Sequence, residues 1–514
     1  MRGGLGLKNA RILKHTLWVL VVVVLGFAVF LRMPGGVRPG GSLDAPFASQ
    51  GLLQRSEGLD HLSITASFDP EASMLLASQQ IFLVNQEDTA RTSLVLRAYP
   101  NAFQNPDTSP VASEELYDAC YPHGFSAGSL VVSSAALAME GKVPESARYR
   151  YMDRAKTVMR VELPQPWAPG ATLFLDFTYT LNLPRSAGRF GAHGGIWAIG
   201  NGFLIPAVYE DGAYREDAYF PIGDPFLSEC MNYTVIVEVP AGYTCAGSAW
   251  PTVERKEAGL RYTFNALCVR DFALCFAKDY QQAQALENGV LVTVYAISGK
   301  SAEEALHYAC QALACYSDIY GPYPYPAFTL AQVNFPFGGM EYPSLVMLSD
   351  IYLKKGGQDL EFLVAHETAH QWWYAVVGSD QVQQAWQDEA LCEYSLLRYV
   401  DRIYGRQARE DLQHTRIETA MRVTIPRGAT PGSPLSFFSD MNEYGLVVYR
   451  RGAALLCALE EASADQLDDF LKAYYDTYAF RRASRQDFET LLAQMSGRDW
   501  AVLIADYLDS HLTP

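Results

Sequence analysis

The sequence feature that most constrains the fold is a short polar pattern inside an apolar helix. Residues 359–378 read DLEFLVAHETAHQWWYAVVG, which predicts one helix with His366, Glu367 and His370 near its middle. Residues four apart share a helix face, so both imidazoles can reach one ion. Polar groups on a mostly buried helix need partners. A metal ion would satisfy all three together.

A third ligand follows at a suitable distance along the chain. Glu389 lies 19 residues after His370, near the start of the next predicted helix. A catalytic zinc ion takes three protein ligands and keeps one open position. The pattern therefore predicts one zinc ion (Zn2+) per chain, bound by His366, His370 and Glu389. Glu367 is rotated by about 100° around the helix, which leaves it free to act as a general base on a water molecule.

An alternative is that these residues are ordinary polar positions. With nine histidines in the chain, the five-residue pattern arises by chance on the order of once per hundred chains of this composition. Glu389 alone could be a solvated glutamate in a helical first turn. The combination of the three ligands with an otherwise apolar helix favours the metal site.

The rest of the chain predicts an α+β protein with two domains. Residues 55–284 contain runs rich in Val, Thr, Tyr and Phe separated by turn residues, which predicts an antiparallel β domain. Residues 285–514 mix strand patterns with helical periodicity, which predicts an α+β domain. Residues 34–54 are predicted to be a linker, because they begin with a segment rich in Gly and Pro.

Charge is distributed unevenly between the N-terminus and the body. The chain of 514 residues has a formal net charge of −17, but residues 1–40 contain six basic residues and no acid. The remainder carries 34 basic and 57 acidic residues, a net of −23. A body this acidic is unsuited to binding nucleic acid through its overall field. The nine cysteines form no C-x-x-C pair, so they indicate neither a disulfide framework nor a cysteine zinc site.

The N-terminus predicts a membrane anchor. Leu17 to Leu31 is an uninterrupted apolar run, and residues 16–33 reach about the lower limit for a helix that spans a lipid bilayer. Residues 1–33 are therefore predicted to form a cytoplasmic arm followed by a single-pass anchor in the cell membrane. The basic residues before the apolar run predict that the N-terminus is cytoplasmic and that the body lies outside the cytoplasm. A cleaved signal peptide is the first alternative, although no clean cleavage site follows. A buried core helix is the second.

Several motifs in the same order resemble the aminopeptidase N family of gluzincin zinc metallopeptidases. His366-Glu367-x-x-His370 with Glu389 matches its metal signature, and residues 338–342 (GGMEY) resemble its G-x-M-E-N exopeptidase motif. Three more segments resemble family elements, namely residues 270–272 (RDF), 321–326 (GPYPYP) and 449–452 (YRRG). The resemblance covers roughly residues 60 to 514. It implies a saddle-like antiparallel β domain followed by a thermolysin-like catalytic domain.

The resemblance also implies a role for each matching residue. His366, His370 and Glu389 would bind zinc, and Glu367 would be the general base and then the proton donor. Tyr449 would donate a hydrogen bond to the oxyanion that develops during peptide hydrolysis.

Substrate recognition is implied for the GGMEY segment. Glu341 would bind the free α-amine of a peptide, and Gly338, Gly339 and Met340 would pair with the peptide backbone. A carboxylate at a fixed distance from the metal lets an enzyme select the first residue of a chain.

Three positions or regions depart from the family pattern. Tyr342 replaces an Asn, which predicts an altered pocket for the first side chain, and Arg451 replaces a Lys. Only 65 residues follow Tyr449, which predicts a two-domain form without the large helical domain that usually covers the active site. The leading hypothesis is a membrane-anchored zinc aminopeptidase acting on peptides with a free N-terminus. The alternatives are a zinc endopeptidase or other zinc hydrolase with an open cleft, and a non-catalytic peptide-binding module.

Overall fold

The computed structural model describes residues 47–111, 113–463 and 466–510. The predicted anchor in residues 16–33 therefore lies outside the described residues, as does most of the predicted linker. Among the described residues, no helix has the length and apolar character needed to cross a membrane. Residues 50–54, predicted as linker, instead begin the helix Gln50–Ser56, which is capped by the Ser49 side chain and buries Leu52.

The N-terminal part of the described chain is rich in β-structure, as predicted. Its largest sheet has eight strands, in which burial alternates along Thr172–Asn182 because one face packs on the core and the other faces solvent. In spatial order the strands are Pro251–Lys256, Gly259–Val269, Met231–Pro240, His61–Asp69, Met74–Val84, Thr172–Asn182, Ser129–Met139 and Glu145–Ser146.

The prediction of a purely antiparallel domain is wrong at one pair of strands. His61–Asp69 runs parallel to Met231–Pro240. Parallel neighbours require a long crossover connection. Residues 70–230 supply it, since they form four other strands of this sheet and most strands of the smaller sheets.

Three smaller sheets complete the β domain, by which we mean the described residues up to 280. One contains Thr244–Gly247, Leu274–Ala277, Ile196–Ile199 and Phe190–His193. Another contains Ile205–Pro206, Arg91–Arg97, Val158–Trp167 and Arg148–Tyr151, and a hairpin joins Tyr209–Glu210 to Ala213–Tyr214. Two short helices, Tyr99–Gln104 and Glu114–Cys120, lie between strands.

The C-terminal domain, residues 281–510, combines a five-stranded sheet with helices. In spatial order its strands are Gln281–Glu287, Val290–Ala296, Ala327–Val333, Leu345–Ser349 and Gly339–Met340. The domain boundary predicted between residues 284 and 285 falls inside the first of these strands. The short strand Gly339–Met340 is at one edge of the sheet and pairs with Leu345–Ser349, so its other side is open to a further strand.

Helices form the rest of the C-terminal domain. The helices that precede residue 406 are Gly299–Tyr320, Asp350–Lys355, Gly357–Ala369 and Trp386–Tyr404. The later ones are Arg406–Gln413, His414–Glu418, Thr419–Met421, Leu435–Phe437, Met441–Tyr444, Gly445–Arg451, Gly452–Ser463, Leu467–Tyr478, Arg485–Ser496 and Ala501–Leu508.

The helix predicted over residues 359–378 ends earlier than expected. It spans Gly357–Ala369, so His370 caps its C-terminus and the HETAH pattern occupies its last turns. The buried Arg270 guanidinium from the β domain donates hydrogen bonds to the backbone oxygens of Tyr374 (2.8 Å) and Val376 (3.4 Å). These carbonyl oxygens are therefore turned away from the hydrogen-bond pattern that would continue the helix. Gly378 permits this approach, since a Cβ there would lie 2.2 Å from the Arg270 Cζ atom.

Candidate metal centre and active site

Two adjacent helices bring three ligand atoms to one point. His366 and His370 lie one turn apart at the end of Gly357–Ala369, and Glu389 lies in the first turn of Trp386–Tyr404. The two Nε2 atoms are 3.2 Å apart, and each is 3.4 Å from the Glu389 Oε2 atom. The three side chains predicted as metal ligands are thus brought together. We call the two Nε2 atoms and the Glu389 Oε2 atom the ligand triangle.

The geometry and the donor set fit a zinc ion. Ligand atoms about 2.0–2.1 Å from a tetrahedral ion are separated by about 3.3 Å, which matches the observed triangle. The three residues are only 1–9% exposed, and the Glu389 Oε2 atom is buried without a hydrogen-bond partner. Burial alone would raise the pKa of Glu389, but the two histidines hold it at about 2. The carboxylate is therefore available as an anionic ligand.

Each histidine has a carboxylate of the Trp386–Tyr404 helix near its Nδ1 atom. The Asp388 Oδ1 atom is 2.6 Å from the His370 Nδ1 atom, and the other Asp388 oxygen accepts from Gln381. The Glu393 Oε2 atom is 3.7 Å from the His366 Nδ1 atom. A partner on Nδ1 fixes the ring orientation and leaves Nε2 directed at the metal. The shorter contact makes Asp388 the stronger of the two orienting groups.

Glu367 lies beside the ligand triangle with a free oxygen. Its Oε2 atom is buried without a hydrogen-bond partner. Burial raises the pKa of Glu367 to about 8, and the nearby Glu389 and Asp224 carboxylates add to the rise, whereas His370 opposes it. A divalent cation at the triangle would lower this pKa, because a nearby positive charge favours the carboxylate. Glu367 is therefore placed to exchange a proton near the metal.

Gly339 permits the close approach of the edge strand to Glu367. A Cβ at Gly339 would lie 2.5 Å from the Glu367 Cδ atom, whereas a Cβ at Gly338 would lie 2.7 Å from a terminal methyl carbon of Leu363. Real Cβ contacts essentially never fall below 3.0 Å. The absence of a side chain at Gly339 is therefore required for the observed position of Glu367.

Glu341 points into the same site. The side chain is 3% exposed, and its Oε1 atom has no hydrogen-bond partner. Burial raises its pKa well above the ordinary value of a glutamate. Ligand atoms of Glu341, Glu367 and His370 all lie within 4.8 Å of one another. A buried, unpartnered carboxylate this close to the metal ligands suits a cationic group on a bound molecule.

Gln371 joins the Glu341 loop to the metal-binding helix. Its Nε2 atom donates to the Tyr342 backbone oxygen (3.2 Å), and its Oε1 atom accepts from the Ser344 backbone N–H (2.9 Å). Because Gln371 follows His370 directly, these two bonds set the spacing between Glu341 and the metal ligands.

The Tyr342 side chain turns away from this cavity. Its hydroxyl donates to the Asn201 Oδ1 atom (2.7 Å), and a Cβ at Gly200 would lie 1.9 Å from it. The prediction that Tyr342 alters the pocket for the first side chain is therefore wrong. The large phenol instead fills the contact with the β domain, where Gly200 leaves space. Arg451 is likewise structural, since it donates to the Ala420 backbone oxygen (3.1 Å).

Tyr449 reaches the metal ligands from the π-helical turn Gly445–Arg451. Its hydroxyl donates to the Glu389 Oε1 atom (2.5 Å), and its ring stacks on His366 with the centroids 5.6 Å apart. Such turns widen a helix locally and often occur at functional sites. The turn places a hydroxyl beside the ligand triangle, at the residue for which the family resemblance implies a hydrogen-bond donor.

A cavity of about 510 Å³ connects these groups, and both domains line it. The lining residues that the sequence analysis did not single out include Arg189 and Asp224 of the β domain and Arg416 of the C-terminal domain. No sequence signal marks Arg189 or Asp224, because they lie in loops that only the fold brings to the site. Asp388, which contacts His370, could have been found from its position directly before Glu389.

Comparison with known proteins supports the resemblance that the sequence motifs indicate. The sequence matches the peptidase family M1 domain over residues 304–507. The predicted resemblance to the aminopeptidase N family is thereby confirmed. Aminopeptidase B of Rattus norvegicus is 26% identical over 353 residues, which cover 64% of this chain and 51% of that protein. Aminopeptidase N of Lactococcus lactis subsp. lactis is 23% identical over 390 residues, covering 70% and 44%.

The chain spans about half the length of these curated relatives. Solved M1 structures match over most of the fold. An M1 zinc metallopeptidase from Deinococcus radiodurans aligns with a TM-score of 0.62 and 18% identity, covering 89% of this chain and 95% of that one. A two-domain M1 zinc metallopeptidase bound to L-arginine aligns with the same TM-score at 17% identity, covering 89% and 94%. A mutant of the Deinococcus radiodurans protein was solved with a Tyr-Ser-Ala substrate.

The hydrogen bond between Asp388 and His370 predicts a measurable effect on metal affinity. Replacing Asp388 by Asn should weaken zinc binding about 10- to 100-fold, because the His370 ring loses its charged partner. Glu393→Gln should have a smaller effect, since its contact with His366 is 3.7 Å. Competition with a chromogenic chelator measures both. Equal affinities for Asp388→Asn and the unmodified protein would contradict the assigned role.

Proposed function

We propose that this protein is a zinc aminopeptidase that removes N-terminal residues from peptides. The observation that carries the proposal is the buried, unpartnered carboxylate of Glu341 beside the ligand triangle. A protonated peptide amine would give Glu341 the partner it lacks. The scissile carbonyl would then lie one residue away, next to His366, His370 and Glu389.

The chain's own residues supply binding and proton transfer around the metal. Zinc, when bound, would polarise the carbonyl and lower the pKa of water. Glu367 accepts the proton of the attacking water and delivers it to the leaving amine. Tyr449 donates a hydrogen bond from its hydroxyl to the carbonyl oxygen as negative charge develops there, an interaction commonly worth about 3 kcal/mol.

The sheet edge provides a binding surface for the peptide backbone. Gly339–Met340 pairs on one side only with Leu345–Ser349. An extended peptide can add to such an edge through main-chain hydrogen bonds. This orients the peptide with its amine toward Glu341.

The relatives support the same reaction. Aminopeptidases B and N are similar in sequence, and the similarly folded Deinococcus radiodurans enzyme has been solved with a tripeptide substrate. A zinc endopeptidase would need no amine partner for Glu341, and a binding module would need no proton acceptor at Glu367. The proposed aminopeptidase uses both buried carboxylates.

Blocking the substrate amine tests the role of Glu341. N-acetylated peptides should resist cleavage, because an acetylated amine carries no charge. Glu341→Gln should lower kcat/KM for free peptides by about 30- to 4,000-fold, since losing one partner of a buried charge pair costs about 2–5 kcal/mol. Glu341→Asp keeps the charge, so its kcat/KM should fall between that of the unmodified protein and that of Glu341→Gln. Equal cleavage of acetylated and free peptides would identify an endopeptidase instead.

The glycine pair offers a matched test of the edge strand. Gly339→Ala should lower kcat by about 100-fold or more while zinc remains bound, because the added methyl displaces Glu367 and misplacement of a reacting group by 1 Å costs about that much. Gly338→Ala should be milder, since the Leu363 side chain can rotate away. Steady-state kinetics with zinc analysis measures both. A larger loss in Gly338→Ala would contradict the account.

We further propose that residues 16–33 anchor the protein in the cell membrane with residues 1–15 in the cytoplasm. The apolar run Leu17 to Leu31 and the basic residues before it support this orientation. The full chain should stay in the membrane fraction after an alkaline carbonate wash, and external protease should digest the body of intact cells. Release by the wash, or a mature N-terminus beyond residue 33, would contradict the anchor.

A further inference from the structure

An ion pair from the β domain lies in the wall of the cavity. The Arg189 Nη1 atom is 2.5 Å from the Asp224 Oδ1 atom, and the two side chains are 18% and 12% exposed. Both residues line the cavity that contains the metal ligands. Neither residue forms a hydrogen bond or an ion pair with the ligand triangle in the part of the chain that the structure describes. The proposed reaction therefore assigns no step to this pair.

The pair lies beside the predicted position of the first peptide residue. The Arg189 Nη1 atom is 2.9 Å from the Sδ atom of Met340, which directly precedes Glu341. Asp224 pairs with the same guanidinium, and it lines one cavity together with Glu341 and Glu367. The pair therefore borders the space beside Glu341 in which the first residue would bind.

Packing holds both members of the pair in place. The Arg189 guanidinium lies over the Phe226 ring, 5.1 Å from its centroid. Asp224 follows Gly223, whose φ of 68° favours glycine and whose Cβ position would lie 2.7 Å from Leu435 and 3.0 Å from the Tyr444 ring. The loop thus fits tightly against the C-terminal domain.

The cavity wall also contains aromatic rings and a second charge pair. Phe103 packs on Phe190 and Tyr219 with ring centroids 5.1 and 6.2 Å apart. Arg416, the other lining arginine, donates two hydrogen bonds of 2.6 and 2.9 Å to Glu393. Its charge is therefore balanced.

We propose that the Arg189–Asp224 pair determines the charge preference of the pocket for the first side chain, so that the enzyme selects large uncharged N-terminal residues. This inference rests on the proposed aminopeptidase function. The two opposite charges cancel at close range, and a charged first side chain would lose its hydration beside a neutral, aromatic wall without gaining a partner. An uncharged aromatic or aliphatic side chain gains contacts with that wall.

The unmodified protein should therefore prefer Phe and Leu over Lys and Glu in a panel of free-amine aminoacyl reporter substrates. We expect at least about a tenfold difference in kcat/KM, because juxtaposed like or unpaired charges commonly cost several kcal/mol. Cleavage of none of the substrates would refute the proposed function itself. Cleavage with Lys or Glu preferred would refute the neutral pocket alone.

Two single variants should shift the preference in opposite directions. Arg189→Met leaves Asp224 unpaired and should raise the ratio of Lys to Leu turnover about tenfold or more. Asp224→Asn leaves Arg189 unpaired and should raise the ratio of Glu to Leu turnover similarly. The double variant restores neutrality, so it should return to the unmodified order of preference even though the pair is gone. If the pair had only a structural role, both single variants would lower the turnover of every substrate equally.

Controls separate specificity from folding. Arg160→Met breaks the Arg160–Glu216 pair elsewhere in the β domain and should leave the order of preference unchanged. Arg189→Lys keeps the positive charge and should retain the preference for uncharged residues. Thermal unfolding and zinc content identify any variant that fails to fold. Unchanged Lys, Glu and Leu ratios in folded Arg189→Met and Asp224→Asn would overturn the proposal.

Discussion

The burial of several carboxylates around two histidines is the constraint on which the rest of the site depends. Glu341, Glu367, Asp388 and Glu389 are all at most 6% exposed, and each of Glu341, Glu367 and Glu389 has an oxygen without a hydrogen-bond partner. Such a cluster is costly unless positive charge enters it. A divalent cation at the ligand triangle would provide part of that charge, and under the proposed function a substrate amine at Glu341 would provide the rest. Metal binding and substrate binding would then each offset part of the same electrostatic cost.

Polar contacts close to the site join the two domains around these buried carboxylates. Arg270 reaches from the β domain to the backbone that follows the metal-binding helix, and its Nη2 atom also donates to the Arg481 backbone oxygen (2.7 Å). Gln371 joins the Glu341 loop to the same helix. The β domain also supplies Arg189 and Asp224 to the cavity wall. The cavity is therefore a property of both domains.

Local patterns in the sequence were sufficient to predict the metal ligands. His366 and His370 are related by helical spacing, and Glu389 by the following helix, so short-range geometry determines the triangle. The family resemblance added Glu341 and Tyr449, whose placement depends on distant elements. The sequence could not predict where Tyr342 points, because the space at Gly200 belongs to another domain. The sequence analysis missed the early end of the helix at Ala369 for the same reason, because Arg270, which belongs to the other domain, donates hydrogen bonds to the backbone that follows.

Metal content and turnover measured together on one variant test the central claim most directly. The purified protein should contain one zinc ion per chain and lose peptide hydrolysis when a chelator removes it. Glu367→Gln should retain that zinc while turnover falls by about 100- to 10,000-fold, the usual contribution of a general base. Absence of stoichiometric zinc, or a Glu367→Gln variant as active as the unmodified protein, would contradict the account.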